Sequence, residues 1–394
     1  MSPRWNRALV LNAGSSTLKW SVLERDGERL VDSGTAAWES AEPARRQEQI
    51  GALWRAAPAV DVAGHRVVHG GADFRRAVLI TAAVRANLAR LVEIDPLHAP
   101  AALAGIAAVA EANPRLPQVA AFDTSFHATL PEAAALYPLP REWSERFGLR
   151  RYGFHGLSVG YAVRRVAELA GAAAGRPELP GRLVVCHLGS GCSLTAVAGG
   201  RSIDTTMGFT PLEGVMMANR SGSVDPGLLL HLEQRCDIAP AALAAGLNQR
   251  SGLAGVSGLT GDFRELLAAA DAGHARATLA YAMFVHSLCR AAGAMIAVLG
   301  GLDALVVTGG IGEHSPRLRA DLAGALAYAG LRLDPAGNAA AVGDHGGNGR
   351  HAEADPDSKA DTDLSASGAA ARFFVVTARE DLAVLREIET VLAS

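Results

Sequence analysis

The sequence predicts an α/β protein of two related halves, and three observations carry that reading. An apolar run at residues 8–11 passes through Asn12-Ala13-Gly14-Ser15-Ser16-Thr17 into a second strand-like run at 18–23. A similar strand–turn–strand returns at 183–197, Leu-Val-Val-Cys-His-Leu-Gly-Ser-Gly-Cys-Ser-Leu-Thr-Ala-Val. Between and beyond them, apolar strands alternate with alanine-rich helices, the pattern of an α/β architecture. A chain of 394 residues is also too long for one core and implies two domains.

The first turn offers backbone N–H groups, hydroxyls and one cation, Lys19, which is the inventory of a phosphate-binding turn. It is not a Walker loop, whose G-x-x-x-x-G-K-[ST] leads into a helix, because here a strand follows. With Gly14 set against Gly189, Val10 matches Val185, Asn12 matches His187 and Ser15 matches Ser190. One extra residue in the second copy then brings Leu18 into line with Leu194. Two halves would each give a phosphate turn to one cleft; coincidence between glycine-rich hairpins is the alternative. A third turn follows the buried-looking strand in Leu305-Val-Val-Thr-Gly-Gly-Ile-Gly-Glu-His-Ser315, where Ser315 can cap a helix that begins at Pro316.

Further helices are expected near 99–112, 159–170 and 318–328, and a buried or half-buried one over 277–299, whose His286 and Arg290 argue against a membrane span. Residues 336–361 are rich in Gly, Asp, Asn, His and Ser and read as a solvated, mobile loop. His345 and His351 within it are a weak metal pair at most. A strand at 372–377 and a terminal helix at 380–392 complete the order.

Net charge of −3 gives no case for nucleic acid. The start of the chain lacks the pattern of a signal peptide, and a cytoplasmic protein is expected. The four cysteines show no C-x-x-C spacing; Cys186 and Cys192 read as small packing residues in a reducing compartment.

Polar residues in apolar or glycine-rich surroundings mark the candidate site. Arg66, in Gly-His-Arg-Val-Val-His-Gly-Gly, needs an anionic partner, either an internal carboxylate or a substrate. Arg220, in Met-Ala-Asn-Arg-Ser-Gly-Ser, poses the same question. Asp123 falls at the C-terminal end of a strand, where α/β sites commonly lie. His155 stands between glycines before a helix. Asp204 and Glu213 read as structural or as a magnesium shell, and His65, His69 and His127 as structural.

Together these segments resemble the acetate kinase family. Residues 12–19, 64–71, 95–98, 122–127, 152–158, 186–191, 204–226, 251–264, 309–313 and 377–382 look like its successive motifs, in order and over almost the whole chain. The resemblance implies a two-domain actin-like fold with duplicated ribonuclease H-like halves, the class of acetate and sugar kinases, Hsp70 and actin. It implies an N-terminal domain of residues 1–150 plus a returning C-terminal helix at 381–394, and a second domain at 151–380. The reaction implied is ATP + acetate ⇌ ADP + acetyl phosphate on a homodimer, with Mg²⁺ or, in its place, Mn²⁺.

Residue by residue, Asn12 and Glu380 are similar to the magnesium-associated positions, and Lys19 to a phosphate contact. Arg66 resembles the substrate-binding arginine, Asp123 the proton donor or acceptor, and His155 and Arg220 the transition-state stabilisers. Nucleotide-binding loops correspond to His187, Leu188, Gly189, Ser190 and Gly191, to Asp262, Phe263 and Arg264, and to Gly310, Ile311, Gly312, Glu313 and His314. Val68, Leu97, Phe154 and Pro211 fall where the family builds its pocket for the acyl methyl. A carboxylate is ionised at pH 7 and needs no base, so Asp123 makes better physical sense as an orienting or metal-shell group. The chain departs from the family pattern at Ser190 and His314, each where Asn is usual, at Ala99, at Ala218-Asn219 and at Ala378-Arg379-Glu380-Asp381. Propionate or butyrate is the alternative substrate, and an Hsp70- or actin-like ATP-gated binding protein the alternative from another class.

Overall fold

The computed structural model describes residues 5–14, 17–37, 59–96, 98–341 and 361–393, with 45, 48–49 and 51–52 in addition. Among the described residues the strands form two six-stranded sheets. The first has the order β3-β2-β1-β4-β6-β5, from β1 (Arg7–Ala13), β2 (Thr17–Glu24), β3 (Arg29–Ala37), β4 (Val62–Val67), β5 (Val78–Leu79) and β6 (Gln118–Phe122). The second runs β11-β12-β10-β7-β8-β9, from β7 (Arg182–Leu188), β8 (Cys192–Ala198), β9 (Arg201–Thr205), β10 (Ala304–Thr308), β11 (Thr362–Asp363) and β12 (Arg372–Val375).

The sheets repeat one plan. Each has a three-stranded antiparallel meander, then two strands parallel to its first, then a short antiparallel edge strand. The central strands are buried almost throughout, as parallel strands covered on both faces must be.

The register corrects one detail of the sequence alignment. Ala13 pairs with Leu18, and Leu188 with Cys192, so residues 14–17 close the first turn and 189–191 the second. The longer turn is therefore the first, and Leu18 corresponds to Cys192 rather than Leu194. With that shift, a register irregularity between Val22 and Leu23 in β2 falls on one between Ala196 and Val197 in β8. A bulge at the same step of both meanders is a second shared feature that coincidence between turns does not explain.

The helices that matter for the cleft are α1 (Ala99–Ala112), α2 (Gly156–Gly171), α3 (Phe263–Asp271), α4 (Ala275–Leu299), α5 (Gly310–His314), α6 (Pro316–Ala325), α7 (Pro335–Ala340) and α8 (Glu380–Ala393). Asp262 accepts from the N–H groups of Arg264 and Glu265 and caps α3, while Ser315 caps α6 with Pro316 in its first turn. α4 buries Ala277, Ala280, Tyr281, Phe284, Leu288, Ala292 and Met295, a stripe at helical spacing, and leaves Leu279, Met283 and Val298 exposed. It is long and apolar enough to cross a membrane by composition, but it packs against β7 and β8 as a half-buried helix.

α2 and α8 lie where the halves meet. One apolar cluster joins Val10 and Val119 of the first sheet, Val185 and Val306 of the second, Val159 and Val163 of α2, and Val384 and Leu385 of α8. α8 packs on β1, β4 and β6, although it follows the second sheet in the chain. Its approach depends on Gly64, where a Cβ would stand 2.5 Å from Val384 Cγ1.

Residues 336–340 are helical rather than loop. Asp334 caps α7, Pro335 opens it, and Asn338 accepts from Arg319 Nε at 2.7 Å. Arg319 is fully buried and also donates to the carbonyls of Gly312, Asn338 and Ala341, tying α7 to the third glycine turn. The rest of that expected loop, 342–360 with His345 and His351, lies outside the described residues, as do Ser15, Ser16 and Leu97.

Candidate active site

A cleft of about 1220 Å³ runs from the first hairpin to α3 and α6. Asn12, Gly14, Lys19, Arg66, Val68, Asp123, Phe154, His155, His187, Pro211, Arg220 and Glu380 line it, together with Gly189–Gly191, Asp262–Arg264 and Gly310, Ile311 and His314. Three sequence-predicted contacts are not on its wall. Leu188 is buried behind it, because side chains alternate along β7 and His187 takes the cleft face. Gly312 is buried, and the Glu313 carboxylate is turned to the backbone, accepting from Gly309 at 2.6 Å and Ala378 at 2.9 Å. Burial raises the Glu313 pKa.

At one end the charges interlock. Arg66, on β4, meets Asp123 through Nε at 3.2 Å and NH2 at 2.5 Å, and Glu380 Oε2 at 3.2 Å. Its NH1 donates to Asn12 Oδ1 at 3.0 Å, and Asn12 Nδ2 donates to Glu380 Oε2 at 2.8 Å. The partner that the sequence demanded for Arg66 is thus supplied twice, by Asp123 just after β6 and by Glu380 at the start of α8. Burial pushes Asp123 up to about 6 against the pull of Arg66.

His155 and Arg220 line the same cleft. His155 precedes α2 with φ 59°, a left-handed conformation unusual for a non-glycine residue and common at functional sites. Its Nδ1 pairs with Ser193 Oγ at 3.0 Å, and its ring stacks on His187 at 4.1 Å between centroids. Arg220 NH1 donates to Pro211 O at 2.6 Å and has no carboxylate partner among the described residues. Desolvation lowers its pKa. At Gly191 a Cβ would stand 2.9 Å from Arg220 NH2 and 3.3 Å from His155 Nε2, so both donors converge over this glycine. Only glycine leaves the space between them open.

The remaining candidates are structural. His65 bonds Gln118, and His127 lies between Ser202 Oγ and the Phe154 carbonyl. His69 reaches the Phe209 carbonyl at 3.3 Å. Asp204 holds the Thr205 N–H, and Glu213 is engaged by Tyr137 and Arg151, both off the cleft wall. Cys186 and Cys192 are buried, and burial pushes both thiols up, Cys192 to about 12. Those are packing residues rather than nucleophiles. Lining residues not singled out from sequence include His98, Trp20, Arg317 and Asp271. His98 was within reach of sequence reasoning, since Asp95-Pro-Leu-His98 is one of the quoted motifs; its Nδ1 pairs with Asp95 Oδ1 at 2.8 Å.

Burial holds His65, His127 and His187 down to about 4 and His155 well below its ordinary 6.5. The unfolded chain therefore binds protons below pH 6.5 that the folded chain refuses. Stability contributed by these four groups is full above pH 6.5 and is lost as pH falls toward 4. Asp123, Asp204, Glu313 and Glu387, which burial raises, act in the opposite sense, while His69, which burial lowers, acts with the other histidines. The unfolding midpoint should fall steadily from pH 6.5 to 4.5; thermal melts across that range check it, and a flat profile overturns it.

Comparison with known proteins agrees with this geometry. The model of the Acetokinase family matches residues 52–350. An acetate kinase of Synechococcus sp. is 43% identical over 98% of each chain. The crystal structure of Porphyromonas gingivalis acetate kinase superposes with a TM-score of 0.85 at 31% identity, covering 98% of this chain and 100% of that one. A propionate kinase from Francisella tularensis gives 0.83 at 30% identity, over 97% and 98%. The paired sheets are those of the actin-like fold, and the chain belongs to the acetokinase family.

Proposed function

We infer that this protein is a carboxylate kinase that converts acetate and ATP to acetyl phosphate and ADP, reversibly, by direct in-line transfer. The observation that carries the reading is the meeting of Arg66, Arg220 and His155 on one cleft whose apolar wall includes Val68, Phe154 and Pro211. An ionised carboxylate attacking an anionic γ-phosphoryl is opposed chiefly by repulsion. Two arginines and a neutral donor are suited to neutralise and orient it.

Arg66 holds the substrate carboxylate, and Asp123 orients Arg66 rather than moving a proton. With Ser193 donating to Nδ1, His155 keeps its proton on Nε2 and offers it as a hydrogen bond to the transferring group beside Arg220. Lys19, the turns at Gly14, Gly189–Gly191 and Gly310, and the α3 N-terminus at Asp262–Arg264 receive the nucleotide. Leu188, Gly312 and Glu313 support those turns from behind. Asn12 Oδ1 and the Glu380 carboxylate, hard oxygen donors, would hold Mg²⁺ or Mn²⁺, and the ion would neutralise phosphate oxygens.

The continuity of α8 with the first sheet supports a division into 1–150 plus 381–394 and 151–380. Exposed Leu228, Leu230, Leu279 and Met283 support a homodimer, for which sedimentation at twice the monomer mass is expected. A cytoplasmic location accords with the four unpaired cysteines.

Incubation with Mg-ATP, acetate and hydroxylamine should yield acetohydroxamate, and chelation should abolish it. Propionate should be a poorer substrate, since one methylene in an apolar pocket is worth only about 1–3 kcal/mol. No hydroxamate with acetate, propionate or butyrate would leave the ATP-gated binding protein as the better reading.

A further inference from the structure

We propose that Glu213 is a positioning residue, clamped between Arg151 and Tyr137, that sets the width of the apolar end of the cleft and so the preference among short carboxylates. This rests on the carboxylate-kinase reading. Glu213 does not line the cleft and acts through what it ties together. Its Oε1 accepts from Arg151 NH2 at 2.8 Å, and its Oε2 accepts from the Tyr137 hydroxyl. Tyr137 in turn accepts from the Phe209 N–H at 2.8 Å. Arg151 NH1 donates to the Thr206 carbonyl at 3.1 Å, and its guanidinium lies 5.6 Å from the Tyr137 ring centroid.

Two segments are thereby fixed to each other. One runs through Arg151 to Phe154 and His155; the other runs from Thr206 to Glu213 and carries Pro211. Backbone bonds from Tyr152 and Gly153 to the Gly208 carbonyl continue the seam. Phe154 and Pro211 stand on its two sides and share the cleft wall with Val68. Pro211 also holds Arg220 through its carbonyl, so the seam reaches a charged group of the site. The fit is close: a Cβ on Gly208 would lie 1.7 Å from Glu213 Oε2 and 2.0 Å from the Tyr137 oxygen. Burial and the Glu213 carboxylate push the Tyr137 pKa well up, which keeps the phenol a donor. The donors come from two stretches that the Leu136–Arg150 bridge and the Arg151 N–H bond to the Ala135 carbonyl hold together, so the Glu213 carboxylate ties its own segment to both and the spacing of Phe154 and Pro211 is fixed as a unit.

The test uses the full chain with E213Q and Y137F, read by hydroxamate formation from acetate, propionate and butyrate. In E213Q the KM for acetate should rise and the acetate-over-propionate ratio of kcat/KM should fall about fivefold, a change of about 1 kcal/mol. The KM for ATP and kcat at saturating acetate should stay within about twofold, as for lost ground-state positioning. Y137F keeps the Arg151 pair and should shift the ratio less, in the same direction; it decides the matter alone if E213Q does not fold. An unchanged ratio in folded variants, or a parallel loss for all substrates and ATP, overturns the inference. Absence of hydroxamate from the wild type overturns the kinase reading, and the inference with it.

Discussion

Arg66→Ala should lower kcat about 10²–10³-fold, the cost of losing a preorganised electrostatic contact to the transition state. It should also destabilise the fold. Arg66 is the cation between Asp123 and Glu380, and its removal leaves two half-neutralised carboxylates facing each other. Breaking a buried pair in this way costs about 3–5 kcal/mol. Part of that returns through protonation of Asp123, so the deficit of the variant relative to wild type should narrow as pH falls toward 5. Steady-state rates with saturating acetate and thermal melts at pH 7.5 and 5.5 test both halves. Near-normal turnover removes Arg66 from the mechanism; a melt no lower than wild type removes it from the ion cluster.

Arg220→Ala should be as damaging to catalysis, about 10²–10³ in kcat, with little effect on stability. The contrast comes from what each arginine touches. Arg220 gives one hydrogen bond to the Pro211 carbonyl and has no described carboxylate partner, so its free donors await an anion. Losing one hydrogen bond costs about 0.5–1.5 kcal/mol, and relief of a desolvated charge offsets it. A melt within a few degrees of wild type with turnover lost is the expected pair of results. Retained turnover overturns the role, and a large drop in the melt shows that Arg220 holds structure instead.

Much of this site is legible in the chain because its parts are local. A strand that ends in glycine and polar residues announces a turn, and an arginine inside a valine run announces a partner. The hairpins at Gly14 and Gly189, the strand end at Gly309 and the capped start at Ser315 all follow from such signals. Edge strands β5 and β11 are two residues long, too short for any periodicity to mark. The orientation of Glu313 is not legible because a motif names neighbours in sequence, whereas its carboxylate accepts from the backbone N–H of Gly309, 4 residues before it, and of Ala378, 65 residues after it. Glu213 was left undecided for the same reason: its partners Tyr137 and Arg151 are remote in the chain, and only folding brings them to it. Helix α7 was hidden by a composition that suits loops, although Asp334 and Pro335 are ordinary start signals.

The return of α8 to the first sheet has a consequence for synthesis. Strands β1, β4 and β6 emerge from the ribosome early, yet the helix that covers them is encoded after every strand of the second sheet. Until residues 380–393 have been released, Val10, Val119 and Gly64 lack their cover and Arg66 lacks one of its two counter-charges. The first-made half must therefore wait for the last-made segment, an exception to the usual domain-by-domain order of folding on the ribosome. Nascent chains stalled short of residue 380 should be protease-sensitive in β1 to β6, and catalytic competence arrives only with the final helix.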